Sequence, residues 1–329
     1  MSIVTVTPAD RAGFLSLVNA EIRPDHAKTN AWDDFPVILD PQNSAWQLIF
    51  KTDDGIIAGC IAALIRVCKT SCGDIPVAGI GSVVTHKDFR GKGISSALQN
   101  EMLTRLKGQN IPLGVLWTDQ PEIYAGRGFV SAGWEIHASI SELAISEPIE
   151  AGCIIRSFIP EDSSAVDTLF NQHSLGTIRE PGDSLAYYTM PGTQGFVMVN
   201  QANEISGAVF CGKGGDFPNY ISEWSGNPAV LPHLFQHANQ QGLAEQVLIP
   251  AGAEELVNTL VDLGSGWVAL PSGEWVVINA HALVDLVDGS GVDIPDDIDD
   301  PVAWLGTVDS EGQPLTGPLT TAVWGFDSV

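Results

Sequence analysis

The chain of 329 residues is 44% hydrophobic, enough material for two ordinary domains with real cores. Fifteen Lys and Arg against forty Asp and Glu leave a net charge of −25, which argues against non-specific binding to nucleic acid or anionic membranes, because polyanions are repelled. No apolar stretch nears the roughly 18 residues of a membrane helix, and the N-terminus lacks the basic-then-apolar order of a secretory signal, so a soluble, cytoplasmic protein is expected.

The opening stretch, SIVTVTPADRAGFLSLVN, reads as a short strand, a turn with Pro8, an N-capping Asp10 and an amphipathic helix. Next comes WQLIFKTDDGIIAGCIA, a hairpin with a polar turn. Five cysteines, Cys60, Cys68, Cys72, Cys153 and Cys211, are odd in number and mostly sit in apolar runs. With no second Cys or Cys/His pair placed to complete a zinc site, they read as free thiols of a reducing compartment, and no metal is expected.

The segment IPVAGIGSVVTHKDFRGKGISSALQNEMLTRLKGQ is the most informative. Ile75 to Val84 is apolar with small residues, as in a buried strand, and Leu98, Met102 and Leu106 recur at helical spacing. Between them, at the helix start, lies Arg90-Gly91-Lys92-Gly93. A helix N-terminus offers unpaired N–H groups and the positive end of the macrodipole, which together hold phosphates. Glycines let the backbone approach such a ligand and take turns closed to other residues. Lys87, Arg90 and Lys92 add three of the fifteen basic side chains within six residues of an acidic protein. A glycine turn with solvated lysines is the plain alternative. The spacing fits neither a Walker loop nor a Rossmann fingerprint.

After a strand at Leu113 to Thr118 comes PEIYAGRGFVSAG. The chain then repeats its opening: CIIRSFIPEDSSAVDTLFN lies over the first stretch at an offset of 152, with Ile3/Ile155, Pro8/Pro160, Asp10/Asp162, Leu17/Leu169 and Asn19/Asn171 identical. FVMVNQANEISGAVF repeats the hairpin, with Ile57/Ile205 and Gly59/Gly207 at an offset of 148. Two copies of one α+β unit are therefore expected. Ser290 to Val329 is rich in Gly, Pro and Asp; its Asp-rich start reads as a solvated linker and its apolar end, TAVWGFDSV, as an anchor on a domain.

Arg90-Gly91-Lys92-Gly93-Ile94-Ser95 resembles motif A of the GNAT (GCN5-related) N-acetyltransferases, Arg/Gln-x-x-Gly-x-Gly/Ala, with a small Ser in the last place. Tyr124, Gly128 and Phe129 resemble the Y-x-x-x-G-F segment of the same family. The whole chain looks like tandem-GNAT proteins related to the enhanced intracellular survival acetyltransferases. The resemblance implies two tandem GNAT-like domains, each a twisted mixed sheet flanked by helices: a catalytic domain at 1–148, a degenerate one at 149–289, and an acidic linker and C-terminal tail at 290–329. Acetyl-CoA is then the implied acyl donor. Val83, Val84 and Thr85 would meet its pantetheine arm and acetyl group. Main-chain N–H groups across Gly91, Lys92, Gly93, Ile94, Ser95 and Ser96, beside Arg90, would hold the pyrophosphate; Asp119 and Gln120 would make further contacts, and Tyr124 would be the general acid.

An amine attacking a thioester needs an oxyanion stabiliser, for which a main-chain N–H near Val83 or Val84 suffices, and a proton for the departing thiolate. Reference values of about 10 for tyrosine and about 8.5 for a thiol put full transfer only about 2 kcal/mol uphill, so Tyr124 is a competent donor; its structural alternative is a core aromatic. An alkylamine is about 0.04% neutral at pH 7, so deprotonation needs help. Water, Asp119, His86 and the Val329 carboxylate are the candidates, the last because the resembling tandem proteins bring their C-terminal carboxylate to the active site.

The second copy reads YISEWSGNPAVLPHLFQHANQQ where the anion loop would lie. Pro228 and Pro232 cannot donate N–H there, and PAGAEELVNTLVDLGSGW offers no tyrosine. This half is expected not to bind CoA and instead to shape the acceptor pocket or a subunit interface. His233 and His237 are four apart on a helix but have no third ligand. A cationic amine acceptor suits the acidity, and a homo-oligomer is compatible with the sequence. Two readings compete with an enzyme: a non-catalytic acyl-CoA-binding sensor, and a structural protein on the same scaffold.

Overall fold

The structure, a computed structural model, describes residues 2–23, 29–179 and 182–329. The first half runs β1 (Ser2–Thr5), α1 (Arg11–Ile22), α2 (Ala31–Asp34), β2 (Gln47–Lys51), β3 (Ile57–Thr70), β4 (Gly73–Thr85), α3 (Ile94–Gly108), β5 (Leu113–Leu116), α4 (Glu122–Ala125), β6 (Val130–Ser131) and β7 (Glu135–Ser139). The second repeats that order as β8 (Ile154–Ser157), α5 (Ser163–Phe170), β9 (Gly176–Ile178), α6 (Asp183–Tyr188), β10 (Gln194–Val199), β11 (Ile205–Lys213), β12 (Asp216–Gly226), α7 (Leu231–Gln240), β13 (Ala244–Pro250), α8 (Glu254–Asp262), β14 (Trp267–Leu270) and β15 (Glu274–Val277). After α9 (Ala280–Val287), the final stretch carries α10 (Pro301–Leu305) and a small hairpin, β16 (Gly306–Val308) and β17 (Pro314–Thr316). None of the described helices is long and apolar enough to cross a membrane.

Two mixed sheets result, with strand orders β1-β2-β3-β4-β5-β15-β6 and β14-β7-β13-β12-β11-β10-β8. Read from the opposite end, the second has the order of the first, with two differences: β7 and β15 have changed places, and β9 is added to the first sheet beside β3. Each sheet takes the last strand of the other half. Glu274 to Val277 run antiparallel to Leu113–Leu116, and Glu135 to Ser139 run antiparallel to both β13 and β14. The ladders thus cross the boundary expected near residue 148 in both directions.

Apolar faces fix the layers. In α3, Leu98, Met102 and Leu106, one helical turn apart, are fully buried against Leu48, Ile61 and Ile80 of the first sheet. Phe14, Leu17 and Val18 of α1 cover the other face with Ile49, Cys60 and Ala62. In α7, Leu231, Leu234, Phe235 and Ala238 do the same for the second sheet. Asp10 and Asp162 both sit at helix N-caps, yet neither side chain caps its helix. Asp10 accepts instead from Thr7 at 2.7 Å and Lys51 at 2.5 Å, and Asp162 from both terminal nitrogens of Arg156 at 2.6 and 2.8 Å. A charged partner makes a stronger hydrogen bond to carboxylate than a main-chain N–H does. The cysteines are free thiols, with Cys60, Cys68 and Cys211 buried.

Candidate active site

The cleft begins on β4. This strand pairs with β5 only at Val77, Ala78 and Gly79, after which the two parallel strands diverge. On its other edge the ladder with β3 continues to Thr85, with a register shift opposite Cys60–Ala62. There Ser82 takes a φ of +53°. A bulge of this kind releases a main-chain group from the ladder and re-aims the residues that follow, here Val83 and Val84.

The loop after β4 turns on two glycines, Gly91 and Gly93, at φ +75° and +74°. An added Cβ would meet nothing within 4 Å at either one, so it is the left-handed backbone, not crowding, that calls for glycine. Gly93 heads α3 without any side-chain cap. Among the described residues, no hydrogen bond takes the main-chain N–H of Gly91, Lys92 or Gly93, and the first turn of α3 has open N–H groups of its own.

The basic side chains here are engaged. Lys92 turns away from the cleft, 4.6 Å over the Phe89 ring, and donates to the Asp88 carbonyl at 3.1 Å. Arg90 folds back to the Thr85 carbonyl at 3.4 Å and pairs with Glu21 of α1. The other oxygen of Glu21 accepts the Lys87 main-chain N–H at 3.3 Å.

A cleft of about 620 Å³ lies between the diverging strands. Val83, Val84, Thr85, Arg90, Gly91, Gly93, Ile94, Ser95 and Ser96 line one wall, with Asp119, Gln120 and Tyr124 on the other. Of the residues expected to hold the acyl donor or act as the acid, Lys92 alone is not among those lining it. Glu21, Ile22, Thr118 and Ile123 also line the cleft and were not anticipated; one carboxylate among forty acidic residues gives no signal in sequence. Inside, the Thr85 hydroxyl is buried and has no hydrogen-bond partner among the described residues, an open polar position suited to a ligand with donors and acceptors. Tyr124, on α4, is only 9% exposed and meets Phe129 edge-on at 5.9 Å. Burial, with the Asp119 charge second, raises its hydroxyl above the usual tyrosine value, which keeps the proton in place at neutral pH.

Of the candidate bases, Asp119 lines the cleft. His86 lines a neighbouring groove against α1 instead, its Nδ1 accepting the Asp88 N–H at 3.2 Å. Val329 packs on β4 within the cluster beneath α1. Its main-chain carbon lies 3.0 Å from where a Cβ of Gly81 would stand.

In the second sheet, β12 and β13 also pair over a short stretch and then separate. The Trp224 ring spans that separation, its Nε1 donating to the Leu248 carbonyl at 2.9 Å. Trp324 packs on it at 5.5 Å and His173 at 4.8 Å. The space that is open in the first sheet is bridged by side chains here.

A family model described as an acetyltransferase (GNAT) domain matches residues 3–132. The match covers the first-half cleft and its loop, about two fifths of the chain. The likeness to solved structures reaches beyond the GNAT match to most of the chain. A conserved protein of Enterococcus faecalis V583, described as a probable N-acyltransferase, is 14% identical with a TM-score of 0.66 over 86% of this chain and 74% of that one. A GCN5-related N-acetyltransferase from Anabaena variabilis ATCC 29413 is 14% identical with a TM-score of 0.63 over 87% and 74%. Eis1 from Mycobacterium abscessus is 12% identical with a TM-score of 0.62 over 87% and 76%. At these identities the likeness is one of fold, two tandem GNAT-type sheets with their helices. No curated protein matches the chain by sequence.

Proposed function

We propose that the chain is an N-acyltransferase that moves an acetyl group from acetyl-CoA to a primary amine by direct attack, in the first-half cleft and in the cytoplasm. One observation carries this reading: N–H groups of the Gly91–Gly93 turn and a Thr85 hydroxyl that have no partner among the described residues belong, with Tyr124, to one cleft between β4 and β5. The diphosphate would rest on the turn and the start of α3, with the pantetheine arm along Val83 to Thr85.

In the reaction, the amine nitrogen attacks the thioester carbon and the oxyanion accepts a main-chain N–H at Val83 or Val84. When the C–S bond breaks, the sulfur takes the Tyr124 proton. The proton lost by the nitrogen goes to a base, for which Asp119 is the candidate carboxylate on the cleft wall, and solvent returns a proton to Tyr124. A cationic acceptor suits the charge of −25. The division into a catalytic unit at 1–148, a unit at 149–289 that binds no CoA, and a tail at 290–329 is part of this proposal, and the Trp224 bridge supports the silence of the second unit.

The test is calorimetric titration with acetyl-CoA, followed by thiol release over a panel of amines with the intact protein and with Tyr124→Phe. Binding with amine-dependent release that Tyr124→Phe depresses is the expected result. Binding without release from any amine would make the protein an acyl-CoA sensor, and absence of binding would leave only the scaffold.

A further inference from the structure

The last residues of the chain are held by buried charges drawn from three places. Arg179 directly follows β9, which hangs on β3 of the first sheet at Val67–Lys69. Its guanidinium, 4% exposed, donates to Oε1 of Glu223 at 2.9 Å and also to Oε2. The same guanidinium reaches Oδ2 of Asp327 from Nε at 3.0 Å and from Nη2 at 2.9 Å. The Thr177 hydroxyl donates to that oxygen as well, at 2.5 Å. Glu223, on β12 of the second sheet, accepts the Phe326 N–H at 3.2 Å. Lys213, fully enclosed at the end of β11, donates to the carbonyl of Ser328 and to its hydroxyl at 2.7 Å.

Two cations and two anions thus balance inside the protein. Buried ion pairs add little net stability compared with apolar residues of the same size, and their best-attested use is to fix register. What is fixed here is the tail: Trp324 to Ser328 are all buried, and the next residue, Val329, lands on β4. Its side chain stands 2.8 Å from the Cβ position of Gly79 and its main chain 3.0 Å from that of Gly81. These glycines leave β4 bare where the tail arrives, one residue before the bulge at Ser82.

We propose that Arg179, Glu223, Asp327 and Lys213 are positioning residues for acyl transfer: they hold the tail so that Val329 braces β4 at Gly79 and Gly81 and keeps the bulge presenting Val83 and Val84 to the thioester. The proposal rests on the acyltransferase reading and gives the second half a part in turnover without a ligand of its own. It acts on the strand at the reacting end of the cleft, leaving the diphosphate turn untouched.

The experiment uses the full chain with Lys213→Met, which keeps side-chain length and removes the ammonium. Turnover in the thiol-release assay, KM for acetyl-CoA, its Kd by calorimetry and thermal unfolding are all measured. The expected result is kcat reduced at least tenfold with acetyl-CoA Kd within twofold of the parent. Gly81→Ala leaves the four charges in place and pushes the tail off the strand, and it is expected to give the same split; it decides the matter if Lys213→Met does not fold. Unchanged kcat in a folded variant, or Kd rising in step with a falling kcat, overturns the proposal. A parent protein that neither binds acetyl-CoA nor releases thiol overturns the acyltransferase reading itself, before any variant is compared.

Discussion

Replacing His173 with Gln should remove a large part of the protein's sensitivity to mild acid. His173 donates its Nε2–H to the Trp224 carbonyl, 3.1 Å away, and its ring packs against Phe170, Trp224 and Trp324. Burial first, and the nearby charges of Arg179 and Lys69 as further causes, push its imidazole down to about 4 from the ordinary 6.5, while its bond to the Trp224 carbonyl works the other way. The unfolded chain therefore binds a proton between pH 6.5 and about 4 that the folded chain refuses. The stability contributed is fully present above about pH 6.5 and is lost as the pH falls toward 4. Between pH 7.5 and pH 5 that pair of values corresponds to about 2 kcal/mol. Because the ring borders a solvent-facing pocket, about 1–2 kcal/mol is expected. Urea unfolding at both pH values, for the parent and for His173→Gln, measures it. The pH-dependent loss should shrink by that amount in the variant, and the lowered acid slope should be missing above pH 5, where the carboxylates of Asp10 and Asp162, held below their usual range by Lys51 and Arg156, do not yet titrate. Parallel pH profiles for the two proteins would refute the reasoning.

Tyr124→Phe should lower kcat by about a hundredfold or more, the range for a positioned general acid, and leave acetyl-CoA affinity within about twofold; steady-state kinetics and calorimetry separate the two. Gly93→Ala forces an alanine into left-handed backbone, at about 1–2 kcal/mol, and should weaken acetyl-CoA binding about tenfold or more by re-aiming the turn. Thermal unfolding reads the first effect and calorimetry the second. Glu21→Gln frees Arg90 from its carboxylate partner and removes a negative charge from the cleft wall. Because Arg90 is largely exposed, the change in fold stability should stay below about 1 kcal/mol, while acetyl-CoA binds up to about fivefold more tightly at low salt; weaker binding would show that the pair holds Arg90 ready for the ligand.

The loop, the tyrosine and the repeated order of elements could be read from the sequence because each rests on local chemistry. Gly91 and Gly93 answer to backbone angles, the Leu98–Leu106 stripe to helical period, and the two strand–turn–helix openings to spacing. What could not be read depends on partners far away along the chain. Glu135 to Ser139 and Glu274 to Val277 form short strands that carry no distinctive signal in sequence, and a strand's pattern tells which face is apolar without telling which sheet receives it. Arg179, Glu223 and Lys213 look in sequence like any solvated charges; their burial follows only from the meeting of β9, β12 and the tail. The apolar run ending in Val329 was legible as an anchor, since Trp324 and Phe326 ask to be covered. Lys92 belongs to the motif by position, but its stem lies along Phe89, where the ammonium also finds a ring face.

The traded strands give this protein the architecture of a domain-swapped pair written into one polypeptide. During synthesis the first sheet has a vacant lane between Leu113–Leu116 and Val130–Ser131 until residues 274–277 emerge. Neither half, cut out at the midpoint, would own all of its strands. Such fragments would be left with an open edge, and the natural way to close it is to borrow the lane from another copy.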